Sequence, residues 1–244
     1  MSKRRHEILK SVHLFENNIP YEKPALPPTL HNRTLTSITN ALNAEAYLDP
    51  QGRLWLAKEK LHSILRTTKA NANDLFDSFE EVRKIENHWY VRAHEVMGRI
   101  CKEIEEADSL KKGEYLSFSE QCLIAIRDSD RATVKRARFL EEWREKKKKL
   151  KNARIKNYGI VMDELTGEPL EKRTAEFSHI RSSSLYRGLS LDIENGLIVN
   201  KATHELITAS GVNNEEELIF LCDQEGWFTT WYDEYKEYLH NRME

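Results

Sequence analysis

Glu176-Phe-Ser-His-Ile180, Asn195-Gly-Leu-Ile-Val199 and Lys201-Ala-Thr-His-Glu205 follow one another near the C-terminal end of the chain. The first reads as a short strand, and the second, an apolar run, as another strand or turn. The third opens a short helix over Lys201–Ala209 that must end before Gly211. His179, Asn195 and His204 stand 16 and 9 residues apart, one on each strand and one on the helix. A neutral imidazole is a base near neutral pH and can take a proton from water. An asparagine or backbone carbonyl can hold the proton on the other ring nitrogen. A second histidine can ligate a divalent cation that polarises a phosphate. Phosphodiester hydrolysis needs little more than these three tasks.

On the N-terminal side, Tyr158–Leu170 carries apolar residues on either side of Thr166-Gly167, the pattern of a β-hairpin. On the C-terminal side, Asn213-Asn-Glu-Glu-Glu217 is expected to cap one last helix, with acids suiting the positive end of its dipole. Trp227, Trp231, Tyr232, Tyr235 and Tyr238 are expected to form the core stripe of that tail.

Before the hairpin lies a basic block. Arg131–Lys156 holds twelve Lys/Arg against three acids, whereas Asn213–Glu244 holds nine acids against Lys236 and Arg242. The net charge of −2 conceals this asymmetry. A basic helix leading into the candidate chemistry can attract a polyanion by neutralising phosphates. Arg181, Lys201, Lys135, Arg138, Lys147 and Lys151 are the candidate nucleic-acid contacts. Phosphate contacts position a protein without choosing a sequence, so they define no target.

The remaining N-terminal part reads as helical. Residues 1–35 contain Pro20, Pro24, Pro27 and Pro28, which predicts an extended arm. Asp49-Pro-Gln-Gly52 is a turn signal, followed by a helix expected near Trp55–Thr67. Asn73-Asp74 is expected to cap a helix reaching Ala107, with Leu75, Phe79, Val82, Trp89, Val96, Ile100 and Ile104 as its buried stripe. Ser109–Gly113 breaks the pattern, and Ser117-Phe-Ser-Glu120 reads as a capping box opening a further short helix. The expected fold class is α+β: an arm over 1–35, a helical domain over 36–156 ending in the basic helix, and a small ββα module with an acidic helical tail over 157–244.

The 244 residues are 39% apolar and 32% charged, the balance of a helix-rich protein with much solvated surface. No apolar run approaches the roughly 20 residues of a membrane helix. The charged start, Met1-Ser-Lys-Arg-Arg, has no apolar stretch behind it, so no secretory signal is expected. Cys101, Cys122 and Cys222 form no Cys-x-x-Cys pair, which excludes a disulfide scaffold and a four-cysteine zinc site. A cytoplasmic location is expected. Neither a Gly-x-Gly-x-x-Gly nor a Walker sequence is present, which argues against a nucleotide cofactor.

Phe177-Ser-His-Ile-Arg181, Glu194-Asn-Gly-Leu-Ile-Val199 and Ala202-Thr-His-Glu205 resemble the HNH endonucleases, the His-Me finger or ββα-metal fold, over about Tyr158 to Cys222. The resemblance implies that His179 is the general base, Asn195 its orienting partner and His204 a ligand of a divalent ion, Mg²⁺ or Mn²⁺. Small proteins of this kind with helical arms are similar to those of bacteriophages and mobile elements. Three departures stand out. Ser178 takes the place where the family has an Asp or His metal ligand, Thr208 the place of a frequent further histidine, and the zinc knuckles are missing. A neutral hydroxyl is a poor ligand for a hard cation. Glu176, Asp192 and Glu205 are the substitutes, with Asp192 first. In place of knuckles, Ile160, Val161, Leu165 and Leu170 are expected to hold the hairpin. Two functions of different class follow. One is a metal-dependent endonuclease acting on nucleic acid, DNA before RNA. The other is an inactive HNH-derived module that binds DNA or protein, with a protein partner or homodimer compatible with either.

Overall fold

The computed structural model describes residues 15–243; the first fourteen residues of the expected arm lie outside the described residues. The fold is α+β, with one four-stranded and one two-stranded antiparallel sheet. The chain divides into two compact units, Met1–Leu140 and Glu141–Glu244, and the division falls within one long helix.

The first unit is not all-helical. In order it contains α1 (Asn32–Glu45), β1 (Ala46–Leu48), β2 (Leu54–Ala57), α2 (Leu61–Ile64), α3 (Lys69–Ser78), β3 (Val82–Ile85), β4 (His88–Arg92), α4 (Ala93–Glu105) and α5 (Leu110–Arg127). The strands pair antiparallel in the order β1-β2-β4-β3. The helix expected near Trp55–Thr67 is therefore β2 followed by the single turn of α2. All four residues of β2 are buried between β1 and β4, and a strand covered on both faces reads as a continuous apolar run, which periodicity cannot tell from a buried helix. The helix expected over 74–107 is α3, a β-hairpin and α4. Thr68, not Asn73-Asp74, caps α3, its side chain accepting from the Asn71 amide. Val82 and Trp89 sit on paired strands across a turn in which Glu86 has φ +52°. β-Branched and aromatic residues favour that pairing, which is sealed by the register of Trp55 on Arg92 across the sheet. Ser109 caps α5, so the expected capping box at Ser117 lies inside a continuous helix.

The helix α6 (Asp130–Tyr158) carries the basic block, as expected, and ends at Gly159, where φ is +63°. The second unit continues with β5 (Glu176–His179), β6 (Gly196–Val199), α7 (Lys201–Ala209), α8 (Glu215–Glu225) and α9 (Trp231–Met243). The expected last helix is thus two, parted at Gly226, whose left-handed backbone (φ +68°) stops α8. Trp231 and Tyr235 are buried against Leu165, Ile180, Leu197 and Leu218, as the core-stripe reading requires, while Trp227 precedes α9.

The expected 158–170 hairpin is reduced to one bridge, Met162 to Pro169, around Gly167 (φ +70°). Its apolar contacts are partial. Leu165 and Ile160 are buried, but the Val161 side chain is 61% exposed, and the residue ties the turn through its carbonyl, which accepts from the Leu170 amide at 3.0 Å. Polar staples replace it. The buried Asp163 accepts from the amides of Leu165 (2.9 Å), Thr166 (3.0 Å) and Asn200 (2.7 Å) and from the Thr203 hydroxyl (2.8 Å), tying the turn to the start of α7. Arg154 on α6 forms a two-pronged pair with Glu164 (3.0 and 2.7 Å), and Glu164 also accepts from the Ile198 amide of β6 at 2.6 Å. Among the described residues, no helix is long and apolar enough to cross a membrane.

Candidate active site

β5 and β6 pair antiparallel with Phe177 opposite Ile198 and His179 opposite Gly196. A Cβ at Gly196 would lie 2.3 Å from the Phe177 ring, so glycine makes room for that ring. Phe177 in turn meets His179 edge-on, with 5.0 Å between ring centroids. The other side of the imidazole is fixed by the chain itself, since His179 Nε2 lies 3.1 Å from the Ser190 carbonyl. A carbonyl only accepts, so Nε2 carries the proton and Nδ1 keeps its lone pair. Burial pulls the His179 pKa below the usual histidine value, and the charges of Lys147 and His204 pull the same way against the Ser190 carbonyl. At neutral pH the ring is an uncharged base with a defined tautomer.

The Ser190 carbonyl, not the Asn195 amide, is thus the ring's partner. Asn195 is fully buried and acts on the loop. Its Oδ1 accepts from the Arg181 amide (3.0 Å) and the Tyr235 hydroxyl (2.7 Å). Its Nδ2 donates to the carbonyls of Arg181 (3.0 Å) and Leu189 (3.2 Å). Asparagine is suited to this role because it both donates and accepts, closing the 181–195 loop at both ends. Ser190 is also anchored from α6, where the Trp143 indole donates to its hydroxyl at 3.1 Å.

His204, on α7, is brought to the Glu176 carboxylate of β5, with Nδ1 to Oε2 at 2.5 Å. Glu176 is therefore the substitute carboxylate that reaches His204. Asp192, the first choice from the sequence, does not. Its Oδ2 accepts from the Tyr238 hydroxyl at 2.7 Å and from Arg242, because α9 folds back onto the loop and claims it. Burial and that bond push the Tyr238 hydroxyl up to about 12. Glu205 pairs with Lys201 (3.6 Å) on the outer face of α7, and Thr208 donates to the His204 carbonyl at 2.9 Å.

Among the described residues, no group of three or more His, Cys, Asp or Glu side chains gathers where a metal could sit. Glu176 and His204 offer one oxygen and one nitrogen, with the buried Ser178 on the Glu176 side of the strand. This donor set does not make a closed tetrahedral zinc site. A carboxylate and an imidazole are donors that a divalent ion keeping several waters accepts.

The expected basic contacts separate. Lys147 enters the site: its Nζ donates to Ser183 Oγ at 2.8 Å and lies 5.2 Å from the centre of the Trp143 ring, and burial lowers its pKa. Arg181 does not enter it. Its guanidinium is locked in a two-pronged pair with the buried Glu215 of α8, including a 2.6 Å bond from Nε, and serves as a brace. Lys201 is exposed on α7, and Lys151 is half-buried on α6. Lys135 and Arg138 belong to the first unit, where Lys135 is paired with Glu16 at 3.0 Å. Trp143, Asp163 and Ser190 are supporting residues that sequence reasoning missed, while Arg154, Glu215 and Tyr235 read there only as parts of the basic block, the helix cap and the aromatic stripe. Only Asp163 left a local signal, a turn-forming Asp four residues before a glycine.

Comparison with known protein families, with curated proteins and with solved structures returns no match to this chain.

Proposed function

We propose that the Glu141–Glu244 unit is a phosphodiester-cleaving module, an endonuclease of the HNH type acting on nucleic acid, with DNA as the first substrate to try. The observation that carries this reading is the His179 geometry: Nε2–H on the Ser190 carbonyl, Nδ1 keeping its lone pair, Lys147 supplied from α6, and Glu176 of β5 paired with His204 of α7. His179 Nδ1 takes a proton from water as the water oxygen bonds to phosphorus and the P–O bond to the leaving sugar oxygen breaks. Lys147, holding Ser183 with one donor, has others to place on a non-bridging oxygen, where negative charge grows. Asn195 and Tyr235 hold the loop whose carbonyl aims the base. Glu176 and His204 would hold a divalent ion, which when bound would supply charge stabilisation at the phosphate and the leaving oxygen. The exposed lysines of α6 contribute salt-dependent backbone attraction.

Purified protein is expected to nick supercoiled plasmid with Mg²⁺ or Mn²⁺ and to lose this on His179→Ala. Intact plasmid across a range of salt, pH and both ions would sink the catalytic reading. Ser178 in the ligand position favours a second reading, a module that binds without cutting. Chelator-resistant DNA retention by a protein that never nicks is its signature.

A further inference from the structure

The first unit contains a cleft of about 530 Å³ whose walls carry Arg53, Arg92, Arg127 and Arg136 against one acid, Asp128. The N-terminus of α4 opens on the same space through Ala93 and His94. Arg92, the residue preceding the helix, provides no side-chain cap, and Glu95 in the first turn spends its carboxylate on the amides of Glu80 (2.7 Å) and Glu81 (2.6 Å). Amides at the positive end of α4 thus join the guanidinium groups.

The arginines are held in place from behind. Arg53 Nε donates to the buried Asp49 at 2.6 Å. Arg127 grips Asp128 through Nε (2.8 Å) and Nη2 (2.6 Å), and Arg136 Nη1 donates to its own helix's approach at the Arg127 carbonyl (2.8 Å). Gly52 is pressed so closely on α6 that a Cβ would fall 2.7 Å from the Ala132 carbonyl. Arg92 is different. Its Nη1 is buried with no hydrogen-bond partner among the described residues, and Glu81 meets the group only through Nε at 3.2 Å. Burial lowers its affinity for its proton, and Arg53 and Arg83 lower it further against the carboxylates of Glu81 and Asp49. A buried guanidinium donor left unpaired beside two other cations is costly unless an anion completes it.

We infer that this cleft binds a phosphate group carried on a larger molecule. Guanidinium donors from several directions and a helix N-terminus match a tetrahedral phosphate oxyanion, and the volume leaves room for the ester it belongs to. That ester is a nucleic-acid backbone or a free nucleotide. The inference stands independently of the reading of the second unit.

The test uses the full chain and inorganic phosphate as the first probe, in thermal denaturation and calorimetric titration against chloride at matched ionic strength. Phosphate is expected to raise the melting temperature, and Arg92→Gln to weaken binding about tenfold or more, as loss of a charged hydrogen bond does. Arg127→Gln, at an exposed side chain, is expected to weaken it severalfold, and Lys236→Gln, at an exposed lysine of the second unit, to leave it unchanged. A 5′-mononucleotide and a short DNA duplex are then competed against phosphate. Competition by the mononucleotide alone assigns a free nucleotide, and competition by the duplex assigns the backbone. The inference is overturned if phosphate acts no more strongly than chloride, if Arg127→Gln binds it as well as the parent, or if neither phosphoester competes.

Discussion

Asn195→Ala separates positioning from chemistry in the second unit. The wild-type side chain is fully buried and makes four hydrogen bonds, to the Arg181 amide and carbonyl, the Leu189 carbonyl and the Tyr235 hydroxyl. Alanine removes all four. A net loss near 1 kcal/mol per bond gives about 4 kcal/mol, less whatever the loop recovers by relaxing. Urea unfolding followed by tryptophan fluorescence checks this, since Trp143, Trp227 and Trp231 all lie in this unit. Tyr235→Phe deletes one of the four and is expected to cost about 1 kcal/mol. His179→Ala, whose ring makes one hydrogen bond to a carbonyl, is expected to abolish nicking at a far smaller stability cost than Asn195→Ala. If Asn195→Ala unfolds within about 0.5 kcal/mol of the parent, or if it nicks normally, the loop-closing role is wrong.

Other tests address the same chemistry. Because burial first, then Lys147 and His204, lower the His179 pKa, the base remains neutral below the ordinary histidine value, and activity should fall only as pH drops beneath about 6.5. Lys147→Met removes a positive charge, so the acid limb of the pH–rate profile should move upward; an unmoved limb would separate Lys147 from the base. The same depressed pKa makes the unfolded chain the better proton binder, so its contribution to stability is intact above pH 6.5 and declines as pH falls from there through the folded value. Asp163→Ala frees four donors between the 160–170 turn and α7 and should cost about 3 kcal/mol in the urea assay, whereas a change under about 1 kcal/mol would mean that Arg154–Glu164 alone suffices. Gly196→Ala puts a methyl group into the Phe177 ring and should cost about 1–3 kcal/mol while displacing the His179 face; unaltered nicking would show that Phe177 does not aim the base. Glu176→Gln should reduce the Mn²⁺-induced rise in melting temperature, and an equal rise in both proteins would exclude the Glu176–His204 pair as the ion's seat.

Much of the second unit was legible along the chain because its signals are local. β5, β6 and α7 are short, and each is bounded by residues that state their conformation, so the order and spacing of His179, Asn195 and His204 could be read directly. The basic run of α6 was legible for the same reason. Fold-back decided which side chains meet. Tyr238 and Arg242 reach Asp192 from about fifty residues away and take it out of contention as a ligand, Glu215 captures Arg181, and the Ser190 carbonyl replaces Asn195 at the imidazole. No spacing rule encodes those encounters, because they depend on how α8 and α9 close over the loop.

The first unit shows the converse. Apolar residues at three-, four- and seven-residue steps satisfy a helical stripe and a pair of strands alike, and pairing with β2 selected the strands. Composition and periodicity established an α+β chain with a basic helix and a His–Asn–His series. The sheet of the first unit, the carboxylate beside His204 and the arginine-lined cleft rest on long-range hydrogen bonding and burial, energies that exist only after distant segments have come together.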